Sequence, residues 1–192
     1  MSWKDHVTEW TPKLNKARYV IGSLTFLRSP EILRMVYFYC FHSIMSYGII
    51  FWGNSPHSIT IFKIKKRIIW IMTNSNTPLL NRLWILPPPS QYICSLLLFV
   101  ATNKKLFLLN SQIHDINIRH NINLHLLLTG LTMVQKGVAY SGCKIYNHLP
   151  PQIKNISNNV ALFKSKLKKF LLRYVFYSAD EYYQKSYNDY VW

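Results

Sequence analysis

From Met35 to Phe62 the chain carries no Lys, Arg, Asp or Glu. A stretch of that kind has to be buried, in protein or in lipid. Its borders are punctuated. Ser29-Pro30-Glu31 is a helix start, because serine caps, proline fits the first helical position and the acid meets the positive helix end. A helix is expected from there to about Tyr47 and Gly48. Ile32, Leu33, Met35, Val36, Phe38, Tyr39, Ile44 and Met45 leave it apolar almost all round. Gly53 to Ser58, the run GNSPHS, is a turn. Roughly 20 mostly apolar residues span a bilayer, so one reading is a membrane anchor at 35–52. His42, Ser43, Ser46 and Gly48 interrupt that segment and favour burial in protein instead.

Elsewhere the pattern is helical. Thr11 and Pro12 predict a helix over 12–28, with Leu14, Ala17, Val20 or Ile21, Leu24 and Phe26 or Leu27 inside. Ser58 to Met72 predicts another, burying Ile61, Ile64, Ile68 and Ile71. Thr73 to Asn81 is polar and loop-like. Leu83 to Leu86 is short, and the prolines at 87–89 stop it. Ser90 opens a helix to about Leu108. Residues 110–135 are expected to be a long loop, 137–140 a short strand, and Gly142 to Leu149 one or two helical turns. A last helix runs from about Asn159 to Val175 with Val160, Phe163, Leu167, Phe170 and Leu171 inside. The tail from 179 to 192 is expected to fray. The fold class is therefore mainly α: a small helical bundle over 1–75, then a loosely organised helical extension over 76–178.

Charge narrows the partners. The net charge is +16, from 23 Lys and Arg against 7 Asp and Glu. No acid lies between residues 32 and 114 or between 116 and 179, and those gaps hold eight and nine basic residues. Such a field attracts a polyanion, nucleic acid or an anionic membrane. Hydrophobic residues make up 49%, enough for a core. The start, MSWKDHVTEW, carries acids and no apolar run, so no secretory signal is expected. A soluble product would be nuclear or cytoplasmic.

Catalytic chemistry finds little support. Asp180 and Glu181 are adjacent but alone, whereas two-metal chemistry needs clustered carboxylates. His114, His120 and His125 lack the tight pairing of zinc ligands, and Cys40, Cys94 and Cys143 are isolated. No phosphate loop or nucleophile elbow is present. No metal or cofactor is expected. Basic, aromatic-bearing helices remain: Lys63, Lys65, Lys66, Arg67 and Trp70 in one, Lys164, Lys166, Lys168, Lys169 and Arg173 in the other. Cations hold a nucleic-acid backbone, and an aromatic stacks on an unpaired base.

Several blocks, in order, resemble one family. They are WKDH at 3–6, PKLNKA at 12–17, SPEILR at 29–34, SIMSYGIIFWG at 43–53 and IFKIKKRII at 61–69. Ile85-Leu86-Pro87 with Gln91-Tyr92-Ile93, Gln135 to Val138, Ile145 to Pro150, and Phe163-Lys164 to Leu171-Leu172 follow. Together they resemble the segment after the palm in reverse transcriptases of insect non-long-terminal-repeat retrotransposons, the jockey-like group. The resemblance covers roughly residues 2–183. It implies a thumb-like helical region at 1–75 that grips a template–primer duplex, RNA or an RNA–DNA hybrid, followed by a carboxy-terminal extension. Catalysis in that family belongs to palm aspartates with no counterpart here, so the resemblance implies a noncatalytic fragment of an RNA-directed DNA polymerase from a mobile element. It transfers only duplex-contact positions: Lys13, Lys16, Lys63, Lys65, Lys66 and Arg67. The alternatives are a small membrane-associated protein anchored at 35–52 and a decayed product without function.

Overall fold

The computed structural model describes residues 3–27, 29–73, 84–113 and 123–185. The described residues form a mainly helical bundle with no sheet; their β-pairing is an isolated bridge between Leu109 and Leu124. Two compact units divide at Pro88–Pro89.

In the first unit, helix α1 spans Trp3–Ser23 and buries Val7, Leu14, Ala17 and Ile21. It starts well before the expected residue 12. Pro12 lies inside it, and Thr11 does not cap: its hydroxyl donates back to the Val7 carbonyl at 2.7 Å. An internal proline costs a helix about 3 kcal/mol. Tertiary packing of the turns before Pro12 offsets that cost. Trp10 stacks on Tyr47 at 5.5 Å, Trp3 stacks on Phe51 at 6.3 Å, and His6 lies 6.4 Å from Trp52. Of the paired expectations within this helix, Ile21 is buried and Val20 exposed.

Helix α2, Pro30–Val36, begins at the expected proline. Ser29 takes the extended cap backbone, but its hydroxyl donates to the Glu31 carboxylate at 3.2 Å instead of accepting from a helix amide. A π-helical turn, Tyr37–His42, leads into α3, Ser43–Ser46. Leu33, Tyr37, Phe41 and Met45 are buried at every fourth position. On a pure α-helix that spacing drifts about 40° per step. The wider π turn offsets that drift over Tyr37–His42. The helix is not buried all round, as its composition suggests: Met35 is 68% and Tyr39 84% exposed.

Gly48 then ends the run at φ 61°, in left-handed space that a side chain disfavours. Helix α4, Ile49–Trp52, folds back from it. The Trp52 indole donates to the Tyr47 carbonyl at 2.9 Å and closes the elbow. No helix among the described residues is long and apolar enough to cross a membrane. Helix α5, Ser58–Thr73, agrees with the expected boundaries and packs along α1. The expected loop after Thr73 and residues 114–122 of the long loop lie outside the described residues.

In the second unit, α6 spans Pro88–Thr102, followed by a short 3-10 turn, Lys104–Leu106, and α7, Asn110–Ile113. Pro88 and Pro89 sit in the first turn of α6, where their missing N–H groups leave no intrahelical bond unmade. Ser90 is therefore not a cap. Its buried hydroxyl clasps a residue 86 positions on, donating to the Phe176 carbonyl and accepting from the Phe176 amide, both at 3.1 Å.

Helix α8 is Thr132–Gln135, and α9 is Val138–Asn147 where a strand over 137–140 is expected. The burial of Ser141, Gly142, Ile145, Tyr146 and Leu149 has helical, not alternating, spacing. Gly142 lets α9 approach α6: a Cβ there would lie 2.9 Å from Val100 Cγ2. Helix α10 is Pro151–Lys154. Helix α11, Val160–Tyr174, is capped by the Asn159 side chain and buries Phe163, Leu167, Phe170, Leu171 and Leu172; Val160 is exposed.

Over the described part of the tail the expected fraying gives way to α12, Ala179–Gln184; residues 186–192 lie outside the described residues. Ser178 accepts from the Glu181 amide at 3.0 Å, and the Glu181 carboxylate accepts from the Tyr177 amide at 2.7 Å, a capping box displaced by one residue. Tyr182 is fully buried and donates to the Ile145 carbonyl at 3.1 Å.

Ser90→Ala leaves the buried Phe176 amide and carbonyl without their partner. It should destabilise the second unit by about 1–3 kcal/mol in chemical denaturation. Gly142→Ala must displace Val100 and should cost about 1–3 kcal/mol.

Candidate nucleic-acid interface

Helix α5 sorts its residues by angle. Ser58, Ile61, Ile64, Lys65 and Ile68 are buried. Lys63, Lys66 and Arg67 are exposed, and Trp70 is 67% exposed. The latter four stand at i, i+3, i+4 and i+7, the spacing of a single helix face. The outer side of α5 is thus a stripe of three cations ending in an indole. Ile59, also exposed, continues the stripe toward the start of the helix.

Lys65 departs from the expected patch. Its side chain is 0% exposed and lies on the isoleucine side of the helix. The local run Lys63-Ile64-Lys65-Lys66-Arg67 hides this, since four cations in five residues cannot share one helical face. Lys65 is a core residue and not a surface contact, and the patch is smaller by one charge than its sequence suggests.

The α1 lysines are less alike than they look. Lys13 donates to the Glu9 carboxylate at 2.9 Å, one turn earlier, and its ammonium sits 5.3 Å from the Trp10 ring centroid. The hydrogen bond and charge of Lys13 hold the Glu9 carboxyl below its ordinary range. Such an exposed pair adds little stability, but it neutralises part of the field at that point. Lys16 is exposed. Helix packing brings α1 and α5 together within the first unit.

In the second unit Lys164, Lys166, Lys169 and Arg173 are exposed on α11, and Lys168 is half-buried. The Arg173 guanidinium lies 5.8 Å from the Tyr174 ring centroid.

The other chemistry-bearing residues have structural surroundings. Burial pushes the Cys94 and Cys143 thiols up to about 11, away from the reactive thiolate. Cys40 is half-buried. His114 and His120 lie outside the described residues. Among the described residues no group of three His, Cys, Asp or Glu is placed to hold a metal ion. Glu181 belongs to the α12 cap.

Sequence reasoning missed the aromatic contacts of Trp3, His6 and Trp10. Their i, i+3, i+7 spacing was a usable signal, obscured by placing the helix start at residue 12. No family model matches this chain, and no curated protein or solved structure matches it either.

The burial of Lys65 makes a direct prediction. Brief acetylation of the native chain, read by peptide mass spectrometry, should modify Lys63 and Lys66 and spare Lys65 until the chain is unfolded. Lys65→Ala should cost about 2 kcal/mol or more through lost packing, whereas Lys63→Ala should stay within about 0.5 kcal/mol.

Proposed function

We propose that this chain is a noncatalytic fragment of a retrotransposon RNA-directed DNA polymerase, comprising a thumb-like unit and the segment after it, and that it holds nucleic-acid backbone electrostatically. The observation that carries the binding reading is the α5 stripe. Three cations on one exposed helix face, with Trp70 in line, combine phosphate attraction with a stacking platform. The helical character of both units is consistent with a thumb followed by a helical extension. The order of the resembling sequence blocks supports the polymerase origin.

The partner is an RNA duplex or an RNA–DNA hybrid. Lys63, Lys66 and Arg67 neutralise phosphates, with Lys16 as a further contact on the neighbouring helix. Lys13, engaged by Glu9, is secondary, and the buried Lys65 has no contact role. Contacts of this kind position a backbone without reading its sequence. The seven acids of the chain are not needed for such binding, and strand synthesis would have to come from a palm elsewhere.

Mobility shift at several salt concentrations tests the binding. The chain should retard an RNA–DNA hybrid at low salt, with affinity falling linearly in log salt. Combining Lys63→Ala, Lys66→Ala and Arg67→Ala should flatten that slope by about three. Trp70→Ala should weaken single-strand binding by about 1–3 kcal/mol and leave the duplex slope unchanged. An absence of retardation at low salt, or an unaltered slope in the triple variant, overturns the proposal.

A further inference from the structure

Apolar side chains gather on the surface of the second unit, away from its basic helix faces in sequence. From His120 to Gln135 the chain carries no Lys, Arg, Asp or Glu. Residues 125–131 form an irregular strap that leads into the single turn of α8. Five large apolar side chains within residues 127–134 are exposed: Leu127, Leu128, Leu131, Met133 and Val134. Leu128 is fully exposed and Met133 86% exposed. Single exposed leucines are ordinary, but five such side chains in a run of eight concentrate the apolar surface that marks a protein or membrane contact.

Both ends of the strap are tied to the unit. At one end the Leu124 amide donates to Asn147 Oδ1, and Asn147 Nδ2 donates to the Leu124 carbonyl, both at 2.8 Å. At the other, Gln135 Nε2 donates to the Thr129 carbonyl at 2.8 Å, and the Ser141 hydroxyl donates to the Gln135 carbonyl at 3.1 Å. Leu127 and Leu128 lie between these ties. The tip also answers its own backbone groups. The Leu131 amide donates to Thr129 Oγ1 at 3.2 Å, and the Leu131 carbonyl accepts from the Val134 and Gln135 amides at 3.0 and 3.1 Å. Backbone groups paired in this way cost less when water is withdrawn.

Charge favours a membrane over a protein partner. Residues 89–192 carry twelve Lys and Arg against four Asp and Glu, with every acid of that stretch counted. Lys136, directly after the apolar run, and Lys144 on α9 are exposed. An anionic bilayer complements both properties: its acyl boundary takes leucine, and its headgroups attract the net positive charge. That attraction needs no single ammonium to be unpaired. A projecting leucine requires a matching recess in a protein partner, whereas a lipid surface yields to it. We propose that residues 127–134 insert shallowly into the surface of an anionic membrane, with Leu127, Leu128, Leu131 and Met133 entering the acyl boundary and Lys136 at headgroup level. The contact goes beyond the duplex reading and does not rest on it.

Flotation of the full chain with vesicles of mixed phosphatidylcholine and phosphatidylserine tests the strap, with phosphatidylcholine vesicles for comparison. The chain should float with the anionic vesicles and much less with the neutral ones. Combining Leu127→Ser and Leu128→Ser should lower the partition coefficient about 10-fold or more, since two exposed side chains lose their transfer into the acyl boundary. Met35→Ser, at an exposed position of the first unit, should leave it unchanged. In the wild-type chain anionic vesicles should shield Met133 from peroxide oxidation more than Met35, a readout that needs no variant. Absence of flotation with the anionic vesicles overturns the proposal. So does flotation that ignores the double substitution or shields Met133 no more than Met35, because cations alone would then hold the chain to the vesicle. Self-association without lipid that the double substitution abolishes makes a second copy the occupant and removes the lipid assignment.

Discussion

The first unit depends on a reversal of the backbone at Gly48. Its left-handed conformation ends one helix, begins another and frees the Tyr47 carbonyl, which the Trp52 indole then takes at 2.9 Å. A buried indole N–H and a helix-terminal carbonyl each need a partner, and the turn supplies both at once. The elbow also presents Tyr47, Phe51 and Trp52 to the first three turns of α1. Trp3, His6 and Trp10 meet them there. This contact carries α1 through Pro12, and α1 in turn gives α5 the surface on which Ile61, Ile64 and Ile68 are buried.

The charge of the chain follows from that packing rather than from composition alone. Two helices that bury isoleucine and leucine along one side must place their other residues outward. In α5 the outward residues include Lys63, Lys66 and Arg67 beside Ile59, Thr60 and Trp70, and one cation of the run, Lys65, turns inward. Lys65 falls 20° or so inside the edge of the buried arc, by the advance of about 100° per residue, and its stem is covered with its neighbours. The exposed surface therefore depends on the phase of the helix as well as on the number of lysines.

Helices α5 and α11 were legible because each has a continuous apolar stripe and an adequate border: a turn before Ser58, an asparagine cap at 159. Three other features were not legible, for separable reasons. Pro12 is a strong local start signal, and only long-range aromatic contact overrides it. Residues 137–140 are too few to distinguish alternation from a helical face, and the decisive residue, Gly142, acts through its missing side chain against Val100. The tail is rich in tyrosine, which local pattern cannot separate from a solvated end; Tyr182 is fixed by a carbonyl 37 residues earlier. The basic run lies on a helix, as its sequence predicts, but sequence could not resolve which of its four cations turns inward.

The block with the most distinctive sequence, Ser43 to Gly53, serves the fold at its key positions. Met45, Ile49 and Trp52 are buried, Gly48 makes the turn, and Tyr47 is stacked on Trp10. Met45, Ile49 and Trp52 cannot also meet a ligand without dismantling the elbow, whereas Tyr47 and Phe51 keep part of their surface outside. A binding surface on the first unit has to be built from what the packing leaves outside. On α5 that remainder holds three cations and an indole at single-face spacing, whereas on α2 and the π turn it is Glu31, Ile32, Arg34, Met35 and Tyr39, a lone cation near an acid. The two remainders differ in kind, and the proposed backbone contact draws on the first.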